Sequence, residues 1–311
     1  CVVVLHALTG EVLALANKPL FDRNNLDTAL KSELSPLVNK ALGAYSAGSV
    51  FKSVIAAYAL ESGISADTKY TCRGKCTVGD TVFTCYNEKA HGEQTMEKAL
   101  GNSCNTYFVN LIEKLDTDGL LMFCRALGFE SEIKLAENVV ASKGCLPEQK
   151  LLRLPGERAN FSFGQGRLSV TPIQLAAAYN AIATGCYTEP TVIFGLANED
   201  GLVKKAPKKE KRRVLSESTV CKMKKLLSFV VSKGNARSAK SSFFKICGKT
   251  GTAQSGIYDS GREICRTWFA GFFPAENPHY IVVVMNEDGV GGSVECTPLF
   301  KEIAEKIVLG N

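Results

Sequence analysis

The chain has 311 residues, 45% of them apolar, and a formal net charge of +6, enough to bury one large core or two linked subdomains without help from metals or disulfides. Its longest apolar runs, such as YIVVVM at 280–285 and LAAAYNAIA at 175–183, fall far short of the roughly 20 residues needed to cross a bilayer, so none is expected to span a membrane. Much of the positive charge lies in KKAPKKEKRR at 204–213, which has no interleaved aromatics for base stacking; this argues against nucleic acid as a partner and for a solvated loop.

Cys1 opens directly on the strand-like CVVVLHAL, with no basic, then apolar, then small-residue leader, as expected of a domain cut from a longer chain. Residues 2–17, VVVLHALTGEVLALAN, read as a hairpin of two β-branched and apolar runs around a TGE turn. Helical periodicity then predicts helices over 49–62, 95–115, 118–127 and 172–184, the last opened by SVTP, a threonine cap followed by proline in the first turn. Beyond the 204–213 loop, FFKICGKTGTAQ (243–254), RTWFAGFFP (266–274) and HYIVVVMN (279–286) predict strands, and PLFKEIAEKIVL (298–309) a final amphipathic helix. Strands at both ends with helices between them imply an α/β (α+β) fold. Its centre is an antiparallel sheet of about five strands, closed by pairing the first hairpin with the last three strands. The terminal helix is expected on one face, the helix from Ser49 on the other, and the middle of the chain as a helical subdomain.

Twelve cysteines are scattered through the chain, several in apolar contexts where a free thiol behaves as a small hydrophobe. Only CRGKC, Cys72 to Cys76, with Cys85 after it, forms a local cluster. Three states are open to it: a disulfide such as Cys72 to Cys85, free thiols, or a zinc site completed by His91, with the first two preferred. No catalytic metal and no cofactor is expected.

Three short motifs carry the chemistry. In AGSVFKSVIAAYALESG at 47–63, Ser49 and Lys52 lie one turn apart on one face at the start of an apolar helix. A desolvated lysine has its charged form disfavoured, so its amine can serve as the base a serine nucleophile needs. The same spacing recurs at Ser131 with Lys134 and at Ser242 with Lys245, so context, not spacing, singles out Ser49. The second motif is GNSCNTYF, with Ser103 and Asn105 two apart at the mouth of a helical segment. The third is GKTGTAQ, placing Lys249, Thr250, Gly251 and Thr252 on a strand edge suited to an extended peptide ending in a carboxylate. Gly251 is expected to let that peptide approach closely.

The three motifs in this order match the serine, lysine, serine, asparagine and lysine arrangement of penicillin-binding proteins and class A β-lactamases. The chain resembles the transpeptidase domain of a class B penicillin-binding protein. The resemblance spans nearly all of it, through LTGEVLALAN, NKALGAYSAGSVFKSV, HGEQTMEKALGNSCNTYF, FGQGRLSVTPIQLAAAYNAIATG, GKTGTAQ and WFAGFFP. Two departures, Ala47 where many relatives carry proline and GNA at 234–236 where GTA is common, are expected to leave the chemistry untouched.

The resemblance implies a β-lactamase-like fold over residues 1–311, without the membrane anchor and N-terminal pedestal domain of class B members. It implies D,D-transpeptidation of peptidoglycan stem peptides at the extracytoplasmic membrane face, covalent inhibition by β-lactams, and a glycosyltransferase partner for the full-length protein. The roles it implies are Ser49 as nucleophile, Lys52 as base, Ser103 as proton relay, Asn105 as partner of the substrate amide and Lys249 as a permanent cation. Thr250 and Thr252 would hold the terminal carboxylate, and the backbone N–H groups of Ser49 and Thr252 would form the oxyanion hole. Rival readings are a D,D-carboxypeptidase, a β-lactamase using Glu157 as deacylating base, although that residue reads as a solvated loop glutamate, and a non-catalytic penicillin sensor. A Ser-His-Asp triad is a poor fit, because His6 and His279 sit in strand-like runs and His91 precedes a glycine.

Overall fold

The computed structural model describes the whole chain except residues 194, 200, 202, 206–208, 260 and 311. Five strands form one antiparallel sheet in the order Cys247–Asp259, Arg262–Phe273, Tyr280–Gly289, Val2–His6, Val12–Ala16. The first strand therefore pairs with the last, Val3 opposite Val283, and the expected closure through non-local pairing is present. The inner strands are covered on both faces, so their apolar residues run on without alternating; Val3, Val4 and Leu5 are all buried, as are Ile281 to Met285.

The two faces of the sheet are distinguished on one strand. Phe269 packs edge-on against Phe300 of the terminal helix Cys296–Leu309, with ring centroids 4.7 Å apart. Its neighbour Trp268 points the opposite way and donates its indole N–H to Ser46 O at 3.1 Å. On that second face lie helix Pro172–Thr184 and the turn Gly48–Phe51 that leads into helix Lys52–Glu61. Thr171 and Gln174 make a reciprocal capping box at the start of Pro172–Thr184. The Tyr179 hydroxyl from the same helix lies 3.0 Å from Val50 O and 2.9 Å from Ser53 Oγ, tying it to the turn.

Helix Lys52–Glu61 is buried all round except at Tyr58 and Glu61, because Ala56, Ala57 and Ala59 let neighbouring elements close on every side. A polar side chain at its first turn is consequently buried as well, and Lys52 has no exposed surface. Among the described residues no helix is long and apolar enough to cross a membrane.

Four expectations are corrected. The segment 95–115 is two helices, Met96–Gly101 and Asn105–Ile112, broken where Ser103 takes a left-handed φ of 52°. The strand placed over 243–254 starts only at Cys247 and runs on to Asp259. The ends of the basic run are strands: Val203–Lys205 pairs with Gly195–Ala197, and the exposed Lys211–Arg213 pairs with Cys186–Thr188. Residues 206–208 of that run lie outside the described residues. Helix Glu217–Ser232 is unforeseen, although Ser216 caps it and Val220, Met223, Leu226, Leu227, Val230 and Val231 trace one buried stripe.

Candidate active site

Ser49 sits half-buried in the tight turn before the buried helix. Gly48 makes the turn feasible. Its φ is +58°, its N–H donates to Gly164 O at 2.8 Å, and a Cβ there would lie 2.7 Å from Thr252 O. The nucleophile turn and the third-motif strand are thereby held in direct backbone contact. Gly251 serves the same contact, since a Cβ on it would meet Val50 Cγ1 at 2.9 Å and Ala47 O at 3.1 Å. The physical demand for glycine at 251 thus comes from packing against the nucleophile turn, where close approach of a peptide was expected.

The break at Ser103 brings the second motif to Lys52. Lys52 Nζ donates to Ser103 O at 2.8 Å, to Ser103 Oγ at 3.3 Å and to Asn105 Oδ1 at 2.6 Å. Asn105 is itself fixed, its Nδ2 donating to Thr84 O at 2.8 Å. From the sheet, Lys249 Nζ donates to the same Ser103 Oγ at 3.0 Å, so the Ser103 hydroxyl stands between two amines. Among the described residues the Ser49 hydroxyl has no hydrogen-bond partner, which leaves it free to turn toward Lys52.

Both lysines are fully buried. Burial brings Lys52 from 10.5 down to about 7, against a smaller upward pull from Cys104 and Cys85 in their charged form. Lys249 was expected at a water-exposed strand edge with its charge undisturbed. Instead the Ser103 loop covers it, and burial, followed by repulsion from Lys52, pushes it well below its ordinary value.

The two threonines of the third motif differ. Thr250 is buried and donates its hydroxyl proton to Asn235 Oδ1 at 3.1 Å, while Asn235 N–H donates to Gly101 O at 2.9 Å. The departure at 234–236 therefore does touch the site. Thr252 is exposed, and its Oγ1 accepts from Gly292 N–H at 3.5 Å, keeping its own proton available for a ligand.

Glu157 lies in the first turn of helix Pro155–Ser162, half-buried, and not in a loop. A Cβ built on Gly166 would lie 3.4 Å from its Oε2. Among the described residues it forms no hydrogen bond to Ser49, Lys52, Ser103 or Asn105. The cysteine cluster is differently composed from the one expected: Cys72, Cys85 and His91 are joined by Cys104, and Cys76 lies outside it. All twelve thiols are free, and the Cys72 and Cys85 sulfurs are 3.7 Å apart, beyond the roughly 2.05 Å of a disulfide.

A buried lysine reaching a serine and an asparagine two apart, with a second lysine from a sheet strand on the same hydroxyl, is the arrangement of a serine acyl-transfer site that needs no histidine. Residues 1–305 match the penicillin binding protein transpeptidase domain, and the chain belongs to that family. It is 31% identical over 302 residues to stage V sporulation protein D of Bacillus subtilis, covering 93% of this chain and 45% of that protein. With the peptidoglycan D,D-transpeptidase MrdA of Acinetobacter baumannii the identity is 29% over 323 residues, covering 94% of this chain and 48% of that protein. The chain thus spans about half the length of these curated relatives. Among solved structures, the D,D-transpeptidase domain of a peptidoglycan glycosyltransferase from Eggerthella lenta superposes with a TM-score of 0.88 at 26% identity, over 99% of this chain and 78% of that one. Penicillin binding protein 3 of Mycobacterium tuberculosis, complexed with aztreonam, superposes with a TM-score of 0.86 at 27% identity, over 99% and 72%.

Proposed function

We propose that this chain is a peptidoglycan D,D-transpeptidase domain, acting on stem peptides at the extracytoplasmic face of the cell membrane and acylated by β-lactams. The observation that carries the proposal is the convergence of Lys52 and Lys249 on the Ser103 hydroxyl beside the Ser49 turn. Ser49 Oγ attacks the carbonyl of the penultimate D-alanine, and its proton passes to the Lys52 amine. The developing oxyanion is met by the backbone N–H groups of Ser49 and Thr252. As the C–N bond breaks, Ser103 passes a proton to the nitrogen of the departing D-alanine, which leaves Ser49 esterified. An acceptor amine from a second stem then attacks the ester, loses its proton to the same relay and regenerates the Ser49 hydroxyl.

The remaining residues bind and orient. The oxygen of Asn105 is held by Lys52 and one N–H by Thr84, which leaves the second N–H of its amide for the substrate. Lys249, its charge disfavoured by burial, holds the Ser103 hydroxyl in place through the hydrogen bond from its Nζ. Thr252 offers its free proton to the terminal carboxylate, while Thr250 commits its own to Asn235. In the full-length protein the domain would sit on a pedestal and membrane anchor beside a glycosyltransferase.

A thioester analogue of the stem peptide, offered with increasing D-amino acid acceptor, tests the reading. Exchange product is expected to grow at the expense of hydrolysed acid, because a bound amine gains several powers of ten from proximity over water lacking a positioned base. Acid dominating at every acceptor concentration identifies a carboxypeptidase instead. Rapid multiple turnover of a cephalosporin identifies a β-lactamase, and an acyl-enzyme that forms without any product identifies a sensor.

A further inference from the structure

The three sulfurs and one imidazole nitrogen behind the second motif come from four short segments between residues 72 and 104. Cys72 ends strand Tyr70–Cys72, Cys85 follows strand Thr81–Thr84, and His91 precedes strand Gly92–Gln94, which pairs Gly92 opposite Cys72. Cys104 is the residue between Ser103 and Asn105. The three sulfurs are buried, His91 is half-buried, and their four candidate donor atoms all lie within 4.8 Å of one another.

Three of the spacings match one coordination geometry. Sγ of Cys72 is 3.7 Å from that of Cys85 and 3.4 Å from His91 Nδ1, and Sγ of Cys85 is 3.8 Å from that of Cys104. A tetrahedron with zinc–sulfur bonds of about 2.3 Å and a zinc–nitrogen bond of about 2.0–2.1 Å has S···S edges of about 3.8 Å and an S···N edge of about 3.5 Å. A disulfide holds its sulfurs at about 2.05 Å, so none of these pairs is bonded as one.

We infer that Cys72, Cys85, His91 and Cys104 form a closed structural zinc site that clamps the Ser103–Asn105 motif to the strands behind it. The ligand set is that of a Cys3His structural site, whose four protein donors leave no open position for substrate or water. Three thiols lose their protons on binding, so Zn²⁺ with three thiolates and a neutral imidazole carries one net negative charge. Two of the sulfurs have outer contacts of their own. Gly74 N–H reaches Cys72 Sγ at 3.4 Å, and Thr106 Oγ1 lies 3.4 Å from Cys104 Sγ. Gln94 Nε2 donates to His91 O at 2.8 Å and its Oε1 accepts from Asn102 Nδ2 at 3.0 Å, linking the histidine to the helix break.

The site gives a reason for the break itself. Ser103 is held at a φ of 52°, a conformation that costs a non-glycine residue of the order of 1 kcal/mol and persists only where its surroundings impose it. A metal bond to the next residue, Cys104, supplies that constraint and fixes the direction in which Ser103 and Asn105 meet Lys52. The cluster adjoins a catalytic motif because its fourth ligand, Cys104, lies within that motif. The metal touches no substrate, and His91 acts as a positioning residue.

Metal content reads this inference without any turnover, so its failure is separable from failure of the proposed reaction. Protein purified with a reductant and freed of loose metal is analysed by elemental mass spectrometry and by intact mass under native and denaturing conditions. One zinc per chain is expected in the wild type and in Cys76→Ser, and almost none in His91→Ala and Cys104→Ala. Replacement of zinc by Co²⁺ in the wild-type chain should give the intense visible bands of a tetrahedral thiolate site, a readout that needs no variant to fold. Acylation of His91→Ala by a fluorescent penicillin should slow about 100-fold, as expected of a catalytic group misplaced by about 1 Å. A wild-type chain that binds neither zinc nor cobalt overturns the inference. So does a Cys85–Cys104 disulfide in protein kept from reductants, or loss of zinc from Cys76→Ser equal to that from His91→Ala.

Discussion

The pH dependence of acylation isolates the work done by burying Lys52. An ordinary lysine, at 10.5, is neutral in only about 1 molecule in 3,000 at pH 7, whereas Lys52, brought down to about 7, is neutral in about half. At 1.36 kcal/mol for each tenfold change, burial shifts the balance toward the free amine by about 5 kcal/mol. Stopped-flow acylation by benzylpenicillin should therefore rise through a single midpoint near neutrality and level off above it. Stability carries the same sign. The folded pKa lies below the unfolded one, so between about 7 and 10.5 the unfolded chain binds more protons and stability increases with pH. Below about pH 7 the folded protein must bury an ammonium, and the full penalty of about 5 kcal/mol applies. Urea melts across this range should show Lys52→Met with a shallower upward slope, the remainder coming from the buried Lys249. An acylation rate flat from about pH 6 to about pH 9, or a midpoint at the ordinary lysine value, refutes the reasoning.

Four further outcomes are expected. Benzylpenicillin should add one mass adduct on the peptide containing Ser49, and Ser49→Ala should abolish it; an adduct elsewhere moves the nucleophile. Lys249→Arg, harmless at an exposed strand edge, should reduce acylation about 100-fold and cost about 1–3 kcal/mol in denaturant melts, because a larger permanent cation enters a closed space; wild-type rates would show that Lys249 is open to water. Thr252→Val should raise KM for a carboxylate-ending substrate more than Thr250→Val does, since Thr250 commits its proton to Asn235; the reverse order would place the carboxylate on Thr250. Gly48→Ala should fold poorly or lose acylation, because its Cβ would lie 2.7 Å from Thr252 O; normal kinetics would show that the contact between turn and strand is dispensable.

What the sequence determines here is local or periodic. The Ser49 to Lys52 spacing places both residues on one helical face because three residues nearly complete a turn. The capped helix 172–184 and the inner strands are legible because caps and apolar runs act over a few residues. The ordered motifs likewise identify the family that the domain match confirms.

Tertiary structure decided everything that depends on through-space approach. The break at Ser103 is invisible to periodicity, because the apolar pattern continues across a residue whose left-handed φ follows from its surroundings. Lys249 reads as a strand-edge cation until the Ser103 loop, 146 residues away, closes over it and shifts its proton affinity. Asn235 looks like a neutral departure until the chain returns it to Thr250. Cys104 joins Cys72, Cys85 and His91 only because two strands and a helix start converge. Charge state, proton placement and ligand sets depend on distances of a few ångströms between residues remote in sequence, and those distances exist only once the core has packed.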